Sequence, residues 1–275
     1  MSMEGTKVLI TGGGRGIGAR VAAFLAERGC WIALCDRLEK ELEETASQIA
    51  TQYNVPVKPF VCDVSDPKRI REMVAEIVEW AGGLDVLVNN AGVLGPPDPI
   101  EDVALEEWRK PIEINLFGTV NCTRAVMPQM KKQGHGKIIN YAGSGVGWKV
   151  MDRLHTSYVT SKFAIYGFTE ALAHDLVDFN IQVNIVSPGK VETALWDGIS
   201  PERREELRQS AQDLSGMPVV RLITFLASAR SAGLTGKILS AEWDDVDELA
   251  RDVESINNSC LHTIRKIDDR NYFCR

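Results

Sequence analysis

The sequence has no Cys-x-x-C pair. Its six cysteines, Cys30, Cys35, Cys62, Cys122, Cys260 and Cys274, are scattered along the chain. That pattern argues against a zinc knuckle or a thiol redox motif, and reduced, mostly structural thiols are expected. The four histidines, His135, His155, His174 and His262, are equally dispersed, so no metal site is expected. Lysine and arginine form no run, and the net charge is -7. Nucleic acid and anionic membrane surfaces are therefore poor partners, and a small-molecule ligand fits better. No apolar segment approaches membrane-spanning length, and Met1 to Lys7 lacks a basic n-region and an apolar h-region. A soluble, cytoplasmic protein is the expectation.

What the chain does have is alternation. Its 275 residues, 44% hydrophobic and 25% charged, suit one large α/β domain or two small ones. Strand-like runs at Val8 to Thr11, Trp31 to Cys35, Val57 to Asp63, Val86 to Asn89, Lys137 to Tyr141, Gln182 to Ser187 and Lys237 to Ser240 are separated by helix-like segments. Asp66-Pro67 and Ser200-Pro201 each place a capping residue before a proline at the first helical position. Such alternation predicts a doubly wound parallel sheet of about seven strands with helices on both faces, and ligands at the carboxyl ends of its strands. No linker divides residues 1–240, which read as one domain. Residues 241–275 form a partly helical, polar C-terminal extension. Its acidic cluster, Asp244, Asp245, Asp247 and Glu248, lacks the glycine of a calcium loop and reads as a solvated helix start.

Directly after the first strand comes Thr11-Gly12-Gly13-Gly14-Arg15-Gly16-Ile17-Gly18, followed by apolar residues at helical spacing, Val21, Phe24 and Leu25. Glycine lets the chain turn sharply and lets backbone approach a phosphate, which the following helix N-terminus attracts. A plain connecting turn is the competing reading. Asp36 ends the second strand eighteen residues beyond Gly18, where a carboxylate accepts from both adenosine ribose hydroxyls. It would repel a 2′-phosphate, which favours NAD. Arg15 and Arg37 could pair with a 2′-phosphate, which keeps NADP open.

Further candidates lie at later strand ends. Asp63-Val64 closes the third strand, with Asp63 able to accept from an adenine amino group. Asn89-Asn90-Ala91-Gly92 closes the fourth, and its small residues allow close approach of a ligand. Tyr158 and Lys162 stand at i and i+4 in a helical segment from Ser157 to Phe179 and share one face. A lysine ammonium beside the phenol would bring its high pKa toward working range for proton transfer. Ser144 could hydrogen-bond the same substrate oxygen.

Taken together, these residues resemble the short-chain dehydrogenases/reductases of the Thr-Gly-x-x-x-Gly-x-Gly type. The likeness runs over about residues 5–240 and includes Asn115, the Tyr158-x-x-x-Lys162 pair, and Pro188-Gly189 followed by Thr193. It implies a Rossmann-type sheet, a nicotinamide cofactor and a catalytic tetrad of Asn115, Ser144, Tyr158 and Lys162. In that mapping Tyr158 is the general acid/base, and Lys162 lowers its pKa and holds the nicotinamide ribose. Ser144 orients the substrate oxygen, and Asn115 holds a water linking Lys162 to solvent. Thr193 would bind the carboxamide, with Pro188, Gly189 and Val191 around the ring's pocket. A homodimer or homotetramer is implied as well.

The chain departs from the family in one place. The family usually reads Asn-x-Ser-Ser after the fifth strand, whereas this run is Asn140-Tyr141-Ala142-Gly143-Ser144-Gly145. Without a shift, Ala142 and Gly143 take the serine places. Assigning Ser144 supposes one extra residue in the loop to Tyr158. The substrate segment is expected at about residues 194–217, where Trp196 would either cover the nicotinamide or pack into the lid's own core. The charges from Glu202 to Glu206 read as a solvated helix face, and His155 as a surface-loop residue. The ending Ser240-Ala241-Glu242-Trp243-Asp244-Asp245 is similar to that of bacterial members acting on sugar-related substrates. The expected function is interconversion of a secondary alcohol and a ketone on a small, possibly sugar-like, molecule. The alternative is a catalytically weak NAD(P)-binding sensor or scaffold.

Overall fold

The computed structural model of the chain describes residues 3–143, 154–210, 215–260 and 262–263, without the side chains of residues 203 and 210. Its seven strands are β1 (Lys7–Thr11), β2 (Trp31–Asp36), β3 (Val57–Val61), β4 (Val86–Asn89), β5 (Gly136–Tyr141), β6 (Ile181–Ser187) and β7 (Ile238–Ser240). All pair in parallel, in the order β3-β2-β1-β4-β5-β6-β7. The central strands are apolar at nearly every position because both faces are covered. Val8, Ile10, Ile32, Leu34, Val86 and Val88 point into one layer, and Leu9, Ala33, Leu87, Ile138 and Val183 into the other.

The first layer holds α1 (Gly16–Ala26), α2 (Glu39–Tyr53) and α8 (Met217–Ala227). The second holds α3 (Pro67–Ala81) and α5 (Gly118–Gln133). The remaining helices are α4 (Leu105–Pro111), α6 (Thr156–Asp175), α7 (Pro201–Ser210), α9 (Val246–Arg251) and α10 (Val253–Asn257). At the start of α3 the Asp66 carboxylate accepts from the N–H groups of Lys68 and Arg69 at 2.9 and 3.0 Å, ahead of Pro67. It satisfies two donors that a helix start leaves open. Strand β3 stops at Val61, two residues before the expected end. There the Asp63 carboxylate turns the chain by accepting from Ser65 N and Oγ at 2.8 and 2.7 Å.

Strands β1 to β3 build outward on one side, and α3 returns the chain to β4 beside β1. The order therefore reverses between β1 and β4, where open α/β sheets place their ligands. Where a polar tail was expected, the described part of the extension packs onto the same core. Leu249 is buried, and Val246, Ala250, Val253 and Ile256 pack against it. The Ile238 N–H donates to His262 O at 2.7 Å, which covers the edge of β7. Asp245 caps α9 through the N–H groups of Asp247 and Glu248, so the acidic cluster does begin a helix. Cys30, Cys35, Cys62 and Cys122 are free and buried. Cys260 is disulfide-bonded. That corrects the expectation of reduced thiols there, since spacing along a chain does not report pairing across space.

Candidate active site

A cleft of about 400 Å³ opens at the carboxyl end of the sheet, over β1 and β4. Its floor is the glycine loop. Gly12 has φ +63°, and a Cβ on it would stand 2.9 Å from Ala91 Cα and from Asn90 Nδ2. Gly18 faces inward: a Cβ there would meet Gly12 O at 2.2 Å, so α1 seats against the loop only because both positions are glycine. Asn90 ties the loop to the end of β4, donating through Nδ2 to Thr11 O and Gly12 O at 2.9 and 3.0 Å. The Thr11 hydroxyl accepts from the N–H groups of Asn90 and Ala91, both at 3.1 Å. No side chain caps the start of α1. Its first N–H groups and their partial positive charge thus face the cleft beside Gly12, Arg15, Gly16 and Ile17, which fits a phosphate.

At one end of the cleft lie Asp36, Arg37, Asp63 and Val64. The Asp36 carboxylate is fixed by two backbone donors, Gly14 N on Oδ2 at 3.0 Å and Leu38 N on Oδ1 at 3.2 Å. Cys35 and Cys62, each one residue before one of these carboxylates, also line the cleft. They carry no motif, and as cysteines of strand-like runs they read from sequence as structural thiols. Their one readable signal is position, at the ends of β2 and β3.

At the other end stand Tyr158 and Lys162, both buried on α6 and both lining the cleft. The Lys162 ammonium lies 5.8 Å from the centre of the Tyr158 ring and donates to Tyr141 O at 3.3 Å. Burial pushes its pKa down to about 8 from the ordinary 10.5. Asn115 is fully buried behind this pair, in a stretch of π-helix (Ile112–Phe117) between α4 and α5. Its amide is held on both atoms: Oδ1 accepts from Val93 N at 2.8 Å, and Nδ2 donates to Val93 O and Ser161 Oγ at 3.0 and 2.9 Å. Gly92 fills the gap between them, since a Cβ there would stand 3.1 Å from Asn115 Oδ1 and 3.6 Å from Lys162 Nζ.

Ser144 lies outside the described residues. The backbone position that faces Tyr158 is Gly143, where a Cβ would meet Tyr158 Cε1 at 2.9 Å and its hydroxyl at 3.0 Å. Pro188 and Thr193 line the cleft, and Thr193 also reaches the glycine loop, 3.5 Å from a Cβ built on Gly16. Gly14, Gly18, Gly189 and Val191 do not line it, and Val191 belongs to the hydrophobic core.

Two sequence readings in this part of the chain change, those of the α7 charges and of His155. Trp196 is buried and is absent from the described cleft lining. The α7 charges are not only a solvated face. Arg204 donates to Trp196 O at 2.8 Å and to Asp197, and Arg208 pairs with Glu192, which staples α7 to the segment after β6. His155 is buried rather than on a surface loop, because the start of α6 turns inward there. Around Tyr158 the described lining includes Val93, Leu94, Ala194 and Leu195, which give that end an apolar wall.

The short chain dehydrogenase family model matches residues 6–204. The 3-oxoacyl-(acyl-carrier-protein) reductase FabG of Thermotoga maritima is 34% identical over 246 residues, covering 88% of this chain and 98% of the relative. The L-fucose dehydrogenase of Bos taurus is 35% identical over 234 residues, covering 82% and 83%. Among solved structures, NAD⁺-bound xylitol dehydrogenase superposes with a TM-score of 0.77 at 29% identity, covering 87% of this chain and 98% of that one.

Proposed function

Since the chain belongs to the short chain dehydrogenase family, and so is a dehydrogenase/reductase acting on CH–OH groups, we propose that it interconverts a small secondary alcohol and its ketone with NAD as the preferred coenzyme. The carrying observation is that Tyr158 and Lys162 open onto the same cleft as the glycine loop and Asp36. The residues present fit a dinucleotide. Gly12 has no room for a side chain, α1 begins without a cap, and Asp36 is oriented by two N–H donors. Arg15, Gly16 and Ile17 would lie along the pyrophosphate. Asp36 and Arg37 would face the adenosine ribose, with Asp63, Val64, Asn90 and Ala91 around the adenine half. Pro188 and Thr193 would flank the nicotinamide.

When bound, the nicotinamide coenzyme supplies or accepts the hydride. The chain's own residues handle the proton. The Tyr158 hydroxyl gives it to the ketone oxygen in reduction and takes it from the alcohol in oxidation. A charged Lys162 stabilises the phenolate left behind. Asn115, locked by Val93 and Ser161, holds the backbone behind Lys162 in place. A fixed carboxylate at Asp36 disfavours a 2′-phosphate by like-charge repulsion, which is the support for NAD over NADP.

The apolar wall around Tyr158 suits a substrate with an apolar flank. The L-fucose and xylitol dehydrogenases among the similar proteins keep sugars and polyols in view. We place the working form as a homodimer or homotetramer in the cytoplasm. Leu105 and Phe117, exposed beside the long helices, suit cover by a second copy. The test is turnover of alcohols, polyols and ketones with NAD or NADP, followed through absorbance of the reduced coenzyme, beside Tyr158→Phe. Turnover that needs Tyr158 is expected. Tight coenzyme binding with no turnover of any substrate would instead point to a sensor.

A further inference from the structure

Among the described residues, Cys35 and Cys62 are the two thiols that line the cleft. Both point into the same core layer, with Cys122 beside them. Cys35 Sγ donates to Cys62 O at 3.6 Å, and Cys62 Sγ donates to Asp63 O at 3.5 Å. The Cys62 N–H donates to Asp36 O at 3.0 Å, which holds the two strand ends together. Cys35 directly precedes Asp36, and Cys62 directly precedes Asp63. Any movement of either sulfur is therefore transmitted to the carboxylates that flank the cleft.

We propose that Cys35 and Cys62 form a reversible dithiol/disulfide pair at the adenosine end of the cleft, oxidised by hydrogen peroxide, and that closing it loosens the hold on the coenzyme. The last part rests on the cofactor reading above. Cys62 is the attacking sulfur. The neighbouring Cys35 thiol and the charge of Arg69 hold its thiol below the ordinary value, whereas the neighbouring Cys62 and burial push Cys35 well up. The Cys62 thiolate attacks one peroxide oxygen, the O–O bond breaks, and a sulfenic acid forms with release of water. The Cys35 sulfur then attacks the sulfenic sulfur, the S–S bond forms, and a second water leaves. Two thiols lose two electrons and two protons, and one peroxide is reduced to two waters.

The geometry says why closure would reach the ligand. Cys35 is in register with Phe60, so Cys62 is its diagonal neighbour. In the reduced protein Cys35 Sγ is turned to Cys62 O and Cys62 Sγ to Asp63 O, so joining the two sulfurs breaks both contacts at the residues beside Asp36 and Asp63. Forming the bond thus displaces Asp36 and Asp63. A bond that costs these contacts is readily reduced, which makes it reversible. By linkage, whatever binds the open pair better shifts the equilibrium against closure by the same factor, and a coenzyme lying over the cleft that both sulfurs line also keeps peroxide from them.

The full-length protein would be treated with hydrogen peroxide, with and without saturating NADH. Mass spectrometry would follow the Cys35–Cys62 cross-link, and fluorescence titration the NADH affinity. Expected are a cross-link that costs two hydrogens in mass, a loss of NADH affinity on the order of tenfold, recovery with dithiothreitol, and slower cross-linking when NADH is bound. Cys62→Ser should neither cross-link nor lose affinity, and because it keeps the disulfide at Cys260 it separates that bond from the effect. Cys122→Ala should cross-link as the parent does. No Cys35–Cys62 cross-link, or a cross-link that leaves NADH affinity unchanged, would overturn the proposal. Failure of the cofactor reading shows separately, as no binding of NADH or NADPH by the reduced protein. That result also removes the effect on the coenzyme, while the cross-link and its need for Cys62 still decide the thiol chemistry.

Discussion

Gly143 lies against the Tyr158 ring with no space for a side chain between them: a Cβ on it would stand 2.9 Å from Cε1, 3.0 Å from the hydroxyl and 3.1 Å from Lys162 Cγ. The atoms it would meet belong to buried side chains that cannot swing away into solvent. Gly143→Ala should therefore push the phenol off its place. We expect kcat to fall on the order of tenfold or more while NADH affinity, set at the other end of the cleft, changes little. Steady-state kinetics beside a binding titration would check this, and an unchanged kcat would mean that Tyr158 is free to move.

Tyr158→Phe keeps the ring and its packing and removes the hydroxyl proposed to exchange a proton with the substrate. The expected loss is roughly 10²–10⁴-fold in kcat, the range for removing a positioned acid/base group. NADH affinity should hold. A variant with more than a tenth of the parent rate would transfer the proton role to another group.

Asp36→Asn retains an acceptor oxygen for one of the two N–H donors and removes the negative charge. If that charge is what disfavours a 2′-phosphate, the ratio of NADPH to NADH affinity should rise by about tenfold or more, aided by Arg15 and Arg37, which line the same cleft. Competitive titration of both reduced coenzymes measures it. A ratio that does not move, or a parent protein that already prefers NADPH, would remove Asp36 as the discriminating group.

The strands were legible because burial on both faces leaves near-continuous apolar runs, as in Val8-Leu9-Ile10 and Ile32-Ala33-Leu34. The glycine loop, Asp36 and Asp63 stood out in the sequence by their places at strand ends, and Tyr158 and Lys162 by their i, i+4 spacing on one helix; the fold brings Gly12, Gly16, Asp36, Asp63, Tyr158 and Lys162 to one cleft. Other features leave no local pattern. The π-helical turn that aims Asn115, the pairing of Arg204 and Arg208 with residues 192–197, the docking of Leu249 and the burial of His155 all depend on segments that meet only after folding. The adjacency of Cys35 and Cys62 is of the same kind, since the register of β2 on β3 creates it.

Lys137 opens β5 at the opposite end of the sheet from the cleft, with its ammonium donating to Ser231 Oγ at 2.8 Å. Burial pushes its pKa down to about 8 from the ordinary 10.5. The folded chain thus binds this proton less tightly than the unfolded chain does. Below about pH 8 both states are protonated and the burial penalty is constant; between about pH 8 and 10.5 the unfolded state holds more protons, and stability rises with pH. Lys162 contributes with the same sign. Cys30, pushed up to about 12 from 9.0 by burial, opposes both above about pH 9. The clean measurement is therefore a difference between the parent and Lys137→Met, which removes one titration and leaves the others. Relative to this variant, the parent should gain a few degrees in Tm from about pH 8 to pH 10. A gap that stays constant over that range would mean that Lys137 titrates alike in the folded and unfolded chain.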